Sequence, residues 1–467
     1  MLPLLSALLA RPLPGPSELP LLGSPDFLSR SLLLQQPLSR LLPHYRAAYG
    51  PIFTIKTGPI RQVWISNDKM SEEAYTTLEC SGRSQLPPGE TPFGQNFLFL
   101  IRDPQRAQPV RRSQKEWLKA NAGTRAVCSA VRRAEPELLG AIDAAVSRGK
   151  GEGMLWPSEE VGTAMLGALL LTFGGKEMKL GQRERSELLT ALAGYRRRAG
   201  APRNPFTTKL DYAKQACYLL PCNASEGGLK RAGATTCSHY SSKVREILTQ
   251  ALASCGRTHD ECEEMLPLLV SACVGGGEIF PLLLQWSARR LALEPGVQQS
   301  LRREMVASAD GPEYGKAMPR VLAAIMRQCP YSLAIGPPRK ALADFAVQGY
   351  TVPEGSLVFV MHPGVIEPDV SQLPSLADAC GDDRQVSAQW MFGAGLRSCT
   401  AAETSVALLC SALATILSKY EISAEGINTE GEKADLPERL LRYKSDGSLL
   451  VPAVEVPLIF RRVPSPP

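Results

Sequence analysis

A thiol at the end of a glycine-bearing segment is the most chemically suggestive feature of the sequence. Residues 392–399 read Phe-Gly-Ala-Gly-Leu-Arg-Ser-Cys, and the pattern after Cys399 predicts a helix. Glycines allow a tight turn, and the N–H groups and positive dipole of a helix start favour a thiolate. Such a thiolate could ligate iron axially, while Arg397 could bind an anionic cofactor carboxylate and Phe392 could shield the sulfur. The alternative is a buried structural cysteine.

The spacing of this segment resembles that of a known family. The order Phe, two residues, Gly, one residue, Arg, one residue, Cys resembles the heme-binding signature of the cytochromes P-450. The resemblance implies that Cys399 is the proximal iron ligand of heme b (iron protoporphyrin IX). It also implies that Phe392, Gly395 and Arg397 contact this cofactor. One departure is Ala401, where the family usually has glycine.

The resemblance extends to the middle of the chain. Residues 272–304 resemble the family's long central helix, with Gly276 and Glu278 at the oxygen-binding site. Residues 319–330 resemble the next core helix, which carries Arg327. The order of these segments matches the family's, so the similarity does not rest on the cysteine motif alone.

Two further arginines gain a role from the resemblance. Residues 339–355 resemble the sheet segment beyond the core helix, where Arg339 would reach a heme propionate. Residues 103–112 resemble the start of the helix whose arginine binds the other propionate, which assigns that role to Arg111. A solvated basic face is the alternative for Arg111. With Lys115, Lys119 and Arg125, the same stretch predicts a basic surface suited to an acidic electron donor.

Three departures from the family pattern concern the chemistry. Ile279 replaces the threonine that helps the family deliver protons to oxygen, and Pro281 predicts a helix kink because it frees the carbonyl of Gly277. Ala324 replaces the glutamate that pairs with Arg327, and Cys380 stands where a second arginine is usual. Because an unmatched buried charge is costly, we expect Arg327 to have another acceptor, and Arg384 is a candidate replacement for the missing arginine.

Three functions are compatible with these residues. The resemblance implies a monooxygenase that inserts one oxygen atom from O2 into an apolar small molecule, with electrons from an NADPH-dependent reductase or a ferredoxin. A heme-thiolate isomerase or dehydratase acting on a hydroperoxide or endoperoxide is the second reading, because Ile279 removes the oxygen-activating hydroxyl. A catalytically degenerate heme-binding member is the third. Cys255, His259 and Cys262 could hold zinc, but a fourth ligand is not evident and a helix surface explains them better.

The elements that must position these residues are mostly helices. The chain has 467 residues, 44% of them hydrophobic, enough for one large globular unit. Two short runs rich in β-branched and apolar residues within 50–66 predict a hairpin. The pattern is mostly helical over residues 110–310, with breaks at 149–153, 200–206 and 221–235. Residues 341–361 again have the character of strands. The resulting fold class is mainly α with small β-sheets, one helical body with a small N-terminal β-region; the resemblance implies the cytochrome P-450 fold.

The apolar start of the chain bears on its location. Residues 1–25 form a short apolar segment and a proline-rich connector, followed by a heme-thiolate domain over 26–467. The apolar run of ten residues is shorter than the roughly 20 that a spanning helix needs. We expect a membrane-associated protein of the endoplasmic reticulum, and arginines near the start keep a mitochondrial location open. A net charge of +6 is too mild to indicate nucleic acid and is compatible with an acidic partner or a membrane surface.

Overall fold

The architecture below comes from a computed structural model of the chain. Arg384, the predicted break at 200–206 and the apolar run 1–10 lie outside the described residues. The structure describes residues 11–34, 38–83, 101, 103–149, 154–175, 178, 180–195, 226–307, 314–328, 338–361, 375–381, 392–424, 443–445, 450–452 and 454–463.

Helices dominate the described residues, as the sequence predicts. Asp103 accepts a hydrogen bond from the Gln105 N–H, which caps the helix that carries Arg111. The α-helices are α1 (Pro25–Leu28), α2 (Leu38–Tyr49), α3 (Asp68–Thr76), α4 (Pro104–Asn121), α5 (Thr124–Arg148), α6 (Ser158–Gly174), α7 (Gln182–Tyr195), α8 (Glu226–Ser254), α9 (His259–Gly276), α10 (Ile279–Ala292), α11 (Pro295–Ala307), α12 (Ala317–Gln328), α13 (Leu376–Gly381) and α14 (Ala402–Lys419).

Helix α6 lies at the centre of the helical body. It is apolar on all faces, and a helix of that kind must be buried all round. It packs against α5, α7, α9 and α10, and α5 also packs against α14, the helix that follows Cys399. The large core formed in this way holds α14 in place at the end of the cysteine loop.

A small sheet lies beside the helices and joins two distant parts of the chain. The predicted hairpin is confirmed as strands β1 (Ile52–Thr57) and β2 (Ile60–Ile65). The strands β3 (Arg339–Lys340) and β6 (Leu357–Val360) complete the same sheet, in the order β1-β2-β6-β3. The N-terminal β-region and the later strand segment therefore form one sheet, because β6 pairs in parallel with β2.

The remaining strands form two-stranded pairs. Between β3 and β6 a hairpin is inserted, and the other two pairs follow α14. The pairs are β4 (Phe345–Val347) with β5 (Tyr350–Val352), β7 (Tyr420–Ser423) with β10 (Ile459–Arg462), and β8 (Tyr443–Ser445) with β9 (Leu450–Pro452).

The predicted central helix is broken where the sequence indicates a kink. Helix α9 ends at Gly276, and α10 begins at Ile279 with Glu278 as its N-cap residue. Pro281 lies in the first turn of α10, where its missing N–H costs least. The predicted kink is thus confirmed as an interruption at residues 277–278, and α11 forms a third, separate segment of the predicted range.

One predicted break is wrong over most of its length. The sequence predicts an interruption at residues 221–235, but helix α8 begins at Glu226, includes the glycines at 227, 228 and 233, and continues to Ser254; residues 221–225 lie outside the described residues. A glycine inside a helix costs only about 1 kcal/mol relative to alanine, so it does not end a long helix by itself. The break predicted at 149–153 agrees with the end of α5 at Arg148.

The connector that precedes the helical body lies against the sheet. The Thr54 N–H donates to the carbonyl of Pro14 at 2.8 Å, and the Ser24 N–H donates to that of Lys56 at 2.7 Å. Residues 19–23 form a tight turn closed by two hydrogen bonds between Leu19 and Gly23. This turn is the exposed edge of the connector.

Candidate functional site

The loop that ends in Cys399 is closed by its own main chain. The Cys399 N–H donates to the Phe392 carbonyl at 2.6 Å, and the Ser398 N–H donates to the Gly395 carbonyl at 3.1 Å. Gly393 and Gly395 have φ angles of +67° and +62°, in the left-handed region that favours glycine. The glycines predicted to shape this segment do so, and the sulfur is held directly before helix α14.

The loop packs tightly against the C-terminal end of α3. A Cβ atom at Gly395 would lie 2.1 Å from the carbonyl oxygen of Tyr75, so only glycine fits there. Arg339 stacks on the Tyr75 ring, 3.6 Å from its centre, and donates to the Tyr75 carbonyl at 2.6 Å. Its other terminal nitrogen donates to Ala394 in the loop, also at 2.6 Å. Arg339 therefore joins α3 to the cysteine loop.

Four arginines gather around this loop. Arg111 donates to the carbonyl of Ser398, the neighbour of Cys399. Arg397 donates through Nε to the carbonyl of Ser81 at 2.8 Å. Arg339, Arg111 and Arg397 are buried, and Arg83 is half-buried. The structure thus brings together the three arginines that the sequence assigns to propionate binding and adds Arg83.

The arginines are close enough to perturb one another. Burial, followed by the charges of Arg339 and Arg397, lowers the pKa of Arg83 to about 9. Burial, followed by the charges of Arg111 and Arg339, lowers the pKa of Arg397 to about 10, while Asp103 acts in the opposite direction. Main-chain carbonyls accept hydrogen bonds from these groups but carry no formal charge. The cluster therefore favours an anionic ligand.

The thiol of Cys399 is solvent-accessible and lies beside this positive cluster. Surrounding protein atoms nevertheless desolvate it, and burial raises its pKa above the ordinary value. A hydrogen bond from Ala401 and the charges of Arg111 and Lys115 act against this increase without reversing it. The contacts expected to favour the thiolate are therefore present, but desolvation outweighs them and the net shift of the pKa is upward.

Helix α4 holds the loop from the other side. Gln108 donates to the Leu396 carbonyl at 3.2 Å, and Thr400 donates to the amide oxygen of Gln114 at 3.3 Å. These two glutamines, three residues before and after Arg111, lie on the same helix face. The sequence reading missed both of them, although polar residues at that spacing on an otherwise buried stripe are a usable signal.

The predicted oxygen-binding residues lie at the break between α9 and α10. A Cβ atom at Gly276 would lie 2.7 Å from a methyl group of Leu169 and 2.9 Å from the Phe280 ring, so a larger residue there would displace these two side chains. Glu278 is half-buried, and Ile279 packs against the large core. The roles of Gly276 and Glu278 in oxygen chemistry stay predictions.

Arg327 has the replacement acceptor that the sequence reading predicts. Its guanidinium group donates to the Asp68 carboxylate at 2.8 Å, and both side chains are about two-fifths exposed, 41% each. Ala324, which stands where the family usually has a glutamate, is buried and packs in the large core. Cys380 lies in α13. The identity of Asp68 as the acceptor was not predictable, because it lies 259 residues away in sequence.

The donor set around Cys399 fits a heme group. The group would bring an iron that needs a sulfur ligand and two carboxylates that need cationic partners. The structure offers an accessible thiol with buried guanidinium groups on three sides of its loop: Arg111 from α4, Arg339 from β3 and Arg397 from the loop itself. Phe392, at the start of the loop, packs against the large core.

The other candidate sites are weaker. Cys262 is buried in α9, and Cys255 donates to the Ala251 carbonyl. Among the residues that the structure describes, no three histidine, cysteine or acidic side chains form a group suited to a metal ion. On α4 and at the start of α5, the residues expected to attract an acidic partner are exposed: Lys115, Lys119 and Arg125, together with Arg112.

Comparison with known proteins adds whole-length similarity. The chain is 23% identical over 501 aligned positions to ent-cassadiene C11-alpha-hydroxylase 1 of Oryza sativa subsp. japonica, covering 96% of this chain and 93% of that enzyme. It is 24% identical over 503 positions to oryzalexin D synthase of the same organism, with the same coverage. No protein-family model matches the chain. At 96% coverage of the chain, the aligned region spans the cysteine loop.

Proposed function

We infer that this chain, which belongs to the cytochrome P-450 family as a divergent member, is a heme-thiolate monooxygenase. The observation that carries the inference is the accessible Cys399 thiol beside a cluster of buried arginines. The enzyme takes electrons from a redox partner and inserts one oxygen atom from O2 into an organic substrate. We propose heme b as the cofactor and the family's fold for residues 26–467.

Each residue of the site has a proposed task. Heme b, when bound, supplies the oxygen activation that no amino-acid side chain can provide. Cys399 ligates the iron through sulfur, and Phe392 limits the access of water to that sulfur. Arg397, Arg111 and Arg339 bind the propionates. The low dielectric around these buried arginines strengthens their attraction for carboxylates.

Proton delivery is the step for which the chain departs from its family. Glu278 is proposed as the side chain that supplies protons near the oxygen site, at the interruption between α9 and α10 beside Gly276. Ile279 has no hydroxyl group to continue the relay. The Gly277 carbonyl, which Pro281 leaves without its usual N–H donor, is a main-chain group that can bind a water molecule in its place.

The proposed partners follow from charge and polarity. The exposed residues Arg112, Lys115 and Lys119 lie on the same helix as the buried Arg111, and the exposed Arg125 lies in the first turn of α5. These exposed residues suit the acidic surface of an NADPH-dependent reductase or a ferredoxin. The proposed substrate is an apolar small molecule, and the net charge of +6 gives no reason to propose nucleic acid.

We propose membrane association, in the endoplasmic reticulum, through the N-terminal part of the chain. Residues 1–10 are apolar, and the turn after them exposes Leu19, Leu21 and Leu22 by 47%, 90% and 56%. Two helical stretches, His259–Ala292 and Ala402–Lys419, are long and apolar enough to cross a membrane, but most of each is buried as in a core helix. The exposed turn and the apolar run are therefore the proposed membrane contacts.

A second function is favoured by one residue. Ile279 removes the hydroxyl group that oxygen activation uses in the family, and isomerases or dehydratases of hydroperoxides do not need it. A degenerate heme-binding protein would also tolerate this change.

Replacing Ile279 separates these functions. In a monooxygenase, Ile279→Thr should raise the product formed per reducing equivalent and lower peroxide release, because the hydroxyl extends the relay from Glu278. In an isomerase, the wild type should convert organic hydroperoxides without an electron donor, and the threonine should slow that reaction. Before either assay, a spectrum of the reduced protein with carbon monoxide should show the red-shifted band of a thiolate-ligated heme. This band must disappear in Cys399→Ala. Hydroperoxide turnover without donor-driven oxidation would refute the monooxygenase.

A further inference from the structure

Helix α3 (Asp68–Thr76) connects the core helix α12 with the loop that ends in Cys399. At its C-terminal end, Tyr75 presents its ring and its carbonyl to Arg339, which also binds Ala394 of the loop. The same carbonyl lies against Gly395 so closely that no side chain fits between them. The position of Tyr75 therefore sets how near the loop can approach.

At its other end, α3 is tied to α12 by charge. Asp68 is in the first turn of α3, and Arg327 is in the last turn of α12. The negative Asp68 lies at the positive N-terminal end of α3, and the positive Arg327 lies at the negative C-terminal end of α12. Both helix dipoles therefore stabilise the ion pair, whose nitrogen and oxygen atoms are 2.8 Å apart. Asn67 caps α3 by accepting the Met70 N–H, which fixes the residue next to Asp68.

The two ends act through a short rigid element. Tyr75 lies seven positions after Asp68, a helix rise of about 10 Å. A helix of this length has no internal proline to bend it, and a shift at Asp68 is passed on to Tyr75. In the family, the partner of the arginine on the core helix is a glutamate on that same helix; here the position holds Ala324, and the ion pair leads to α3 instead.

We propose that the pair of Arg327 with Asp68 positions the cysteine loop through α3 and thereby replaces the ion pair that the core helix lacks. Asp68 is a positioning residue: it acts through Tyr75 and Arg339 on residues 394–395. The proposal rests on the proposed heme-thiolate function, since its measurable consequence is how firmly the loop holds heme.

The test compares Asp68→Asn with the conservative Asp68→Glu in the full-length holoprotein. Asp68→Asn should speed the transfer of heme to apomyoglobin by up to about fivefold, the range that one exposed ion pair supports. It should also lower the fraction of the carbon monoxide complex that shows the thiolate band. Asp68→Glu keeps the charge and should restore both readouts toward the wild type. A merely local loss of stability would not move the thiolate fraction.

The matched control is Glu160→Gln, which removes another exposed ion pair, with Arg148, from the far helices α5 and α6. It should leave heme transfer and the spectrum unchanged. Equal behaviour of Asp68→Asn and the wild type, or of Asp68→Asn and Glu160→Gln, would overturn the positioning role. A wild type that shows no thiolate band at all would instead overturn the proposed function, so the two failures are distinguishable.

Discussion

The arginines beside Cys399 illustrate how position decides what a charge can do. Arg111 and Arg112 are adjacent in α4, but Arg111 is buried at the cysteine loop and Arg112 is exposed. The buried guanidinium group is desolvated and lies near other arginines, so an anionic ligand relieves both penalties. The exposed one is already solvated by water and can contribute only to the outer basic face.

This difference gives a prediction with an internal control. Arg111→Gln should weaken heme retention by about tenfold to a hundredfold, because a buried charge-assisted hydrogen bond to a propionate is worth about 1.5–3 kcal/mol. Arg112→Gln should leave heme retention unchanged and slow reduction by an acidic electron donor at low salt. The measurements are heme transfer to apomyoglobin and the donor-driven reduction rate. Equal heme loss in both variants would argue against the propionate role of Arg111.

At this scale the sequence predicts residues that belong to a motif and misses those that only the fold brings near. Cys399, Arg397 and Gly395 are set by local spacing, and the structure places them in one loop. Arg83 and Tyr75 reach the same loop from a different part of the chain. Their contacts depend on the pairing of distant segments, which no local pattern encodes.

Helix α13 shows how a side chain from another segment can complete a helix cap, since Ser375 already accepts a hydrogen bond from the Ala377 N–H. Glu294, between α10 and α11, accepts hydrogen bonds from the Leu376 N–H at 2.9 Å and from Ser375 at 2.8 Å. It also pairs with Arg290 at 2.6 Å. Burial alone would raise the pKa of Glu294, but these donors and the Arg290 charge outweigh it and hold the pKa below its ordinary value of 4.5.

The lowered pKa predicts a pH dependence of stability. A carboxylate with a depressed pKa in the folded state stabilises the protein above its unfolded pKa and loses that contribution as the pH falls through the folded pKa. Glu294→Gln should therefore lower the free energy of unfolding by about 1–2 kcal/mol at pH 7. The difference from wild type should shrink as the pH falls from about 5 toward 3. Denaturant unfolding at several pH values measures it.

The control for this titration is Glu187→Gln. Glu187 pairs with Arg183 on an exposed helix face, and its loss should change stability little at any pH. A constant difference between Glu294→Gln and the wild type across the acidic range would contradict the proposed ionisation of Glu294.

Elements were predicted more reliably than their pairing. Local patterns predicted three elements: the strands on either side of Gly58, the kink before Pro281 and the helix after Cys399. These patterns are the periodicity of apolar residues and the positions of glycine and proline. The pairing of β2 with β6 does not follow from such patterns, because it depends on how the helical body folds between them. The helix start at Glu226 was missed since glycines lower helix propensity without forbidding a helix.

On the scale of the whole molecule, the connector presents a protruding apolar turn. Leu21 has a φ angle of +64°, which is strained for a leucine, and it is 90% exposed. Ile60, in the neighbouring hairpin, is also exposed. A convex turn of this size is too small for a stable protein interface, which buries about 1,600 Å² in total, but it can insert into the interface of a bilayer.

Leu21→Gly tests this membrane contact without disturbing the turn. Glycine adopts a positive φ angle without strain, so the unfolding temperature should stay the same or rise. Removal of the side chain should weaken binding to phospholipid vesicles by about fivefold, from partial burial of one leucine. Val306→Ala, at another exposed apolar position, is the control and should bind like the wild type. Unchanged vesicle binding by Leu21→Gly would exclude the turn as a contact.

The sheet order β1-β2-β6-β3 also determines when the sheet can form during synthesis of the chain. Strand β2 leaves the ribosome long before β6, and helices α3 to α12 are made between them. Until then β2 has an open edge, which is a template for pairing with other chains. Contacts between such distant segments form slowly. Chains truncated before Leu357 should therefore aggregate even though most of their helices are present. Expression of the full-length chain should depend on chaperones that bind the β1-β2 hairpin until β6 is synthesised.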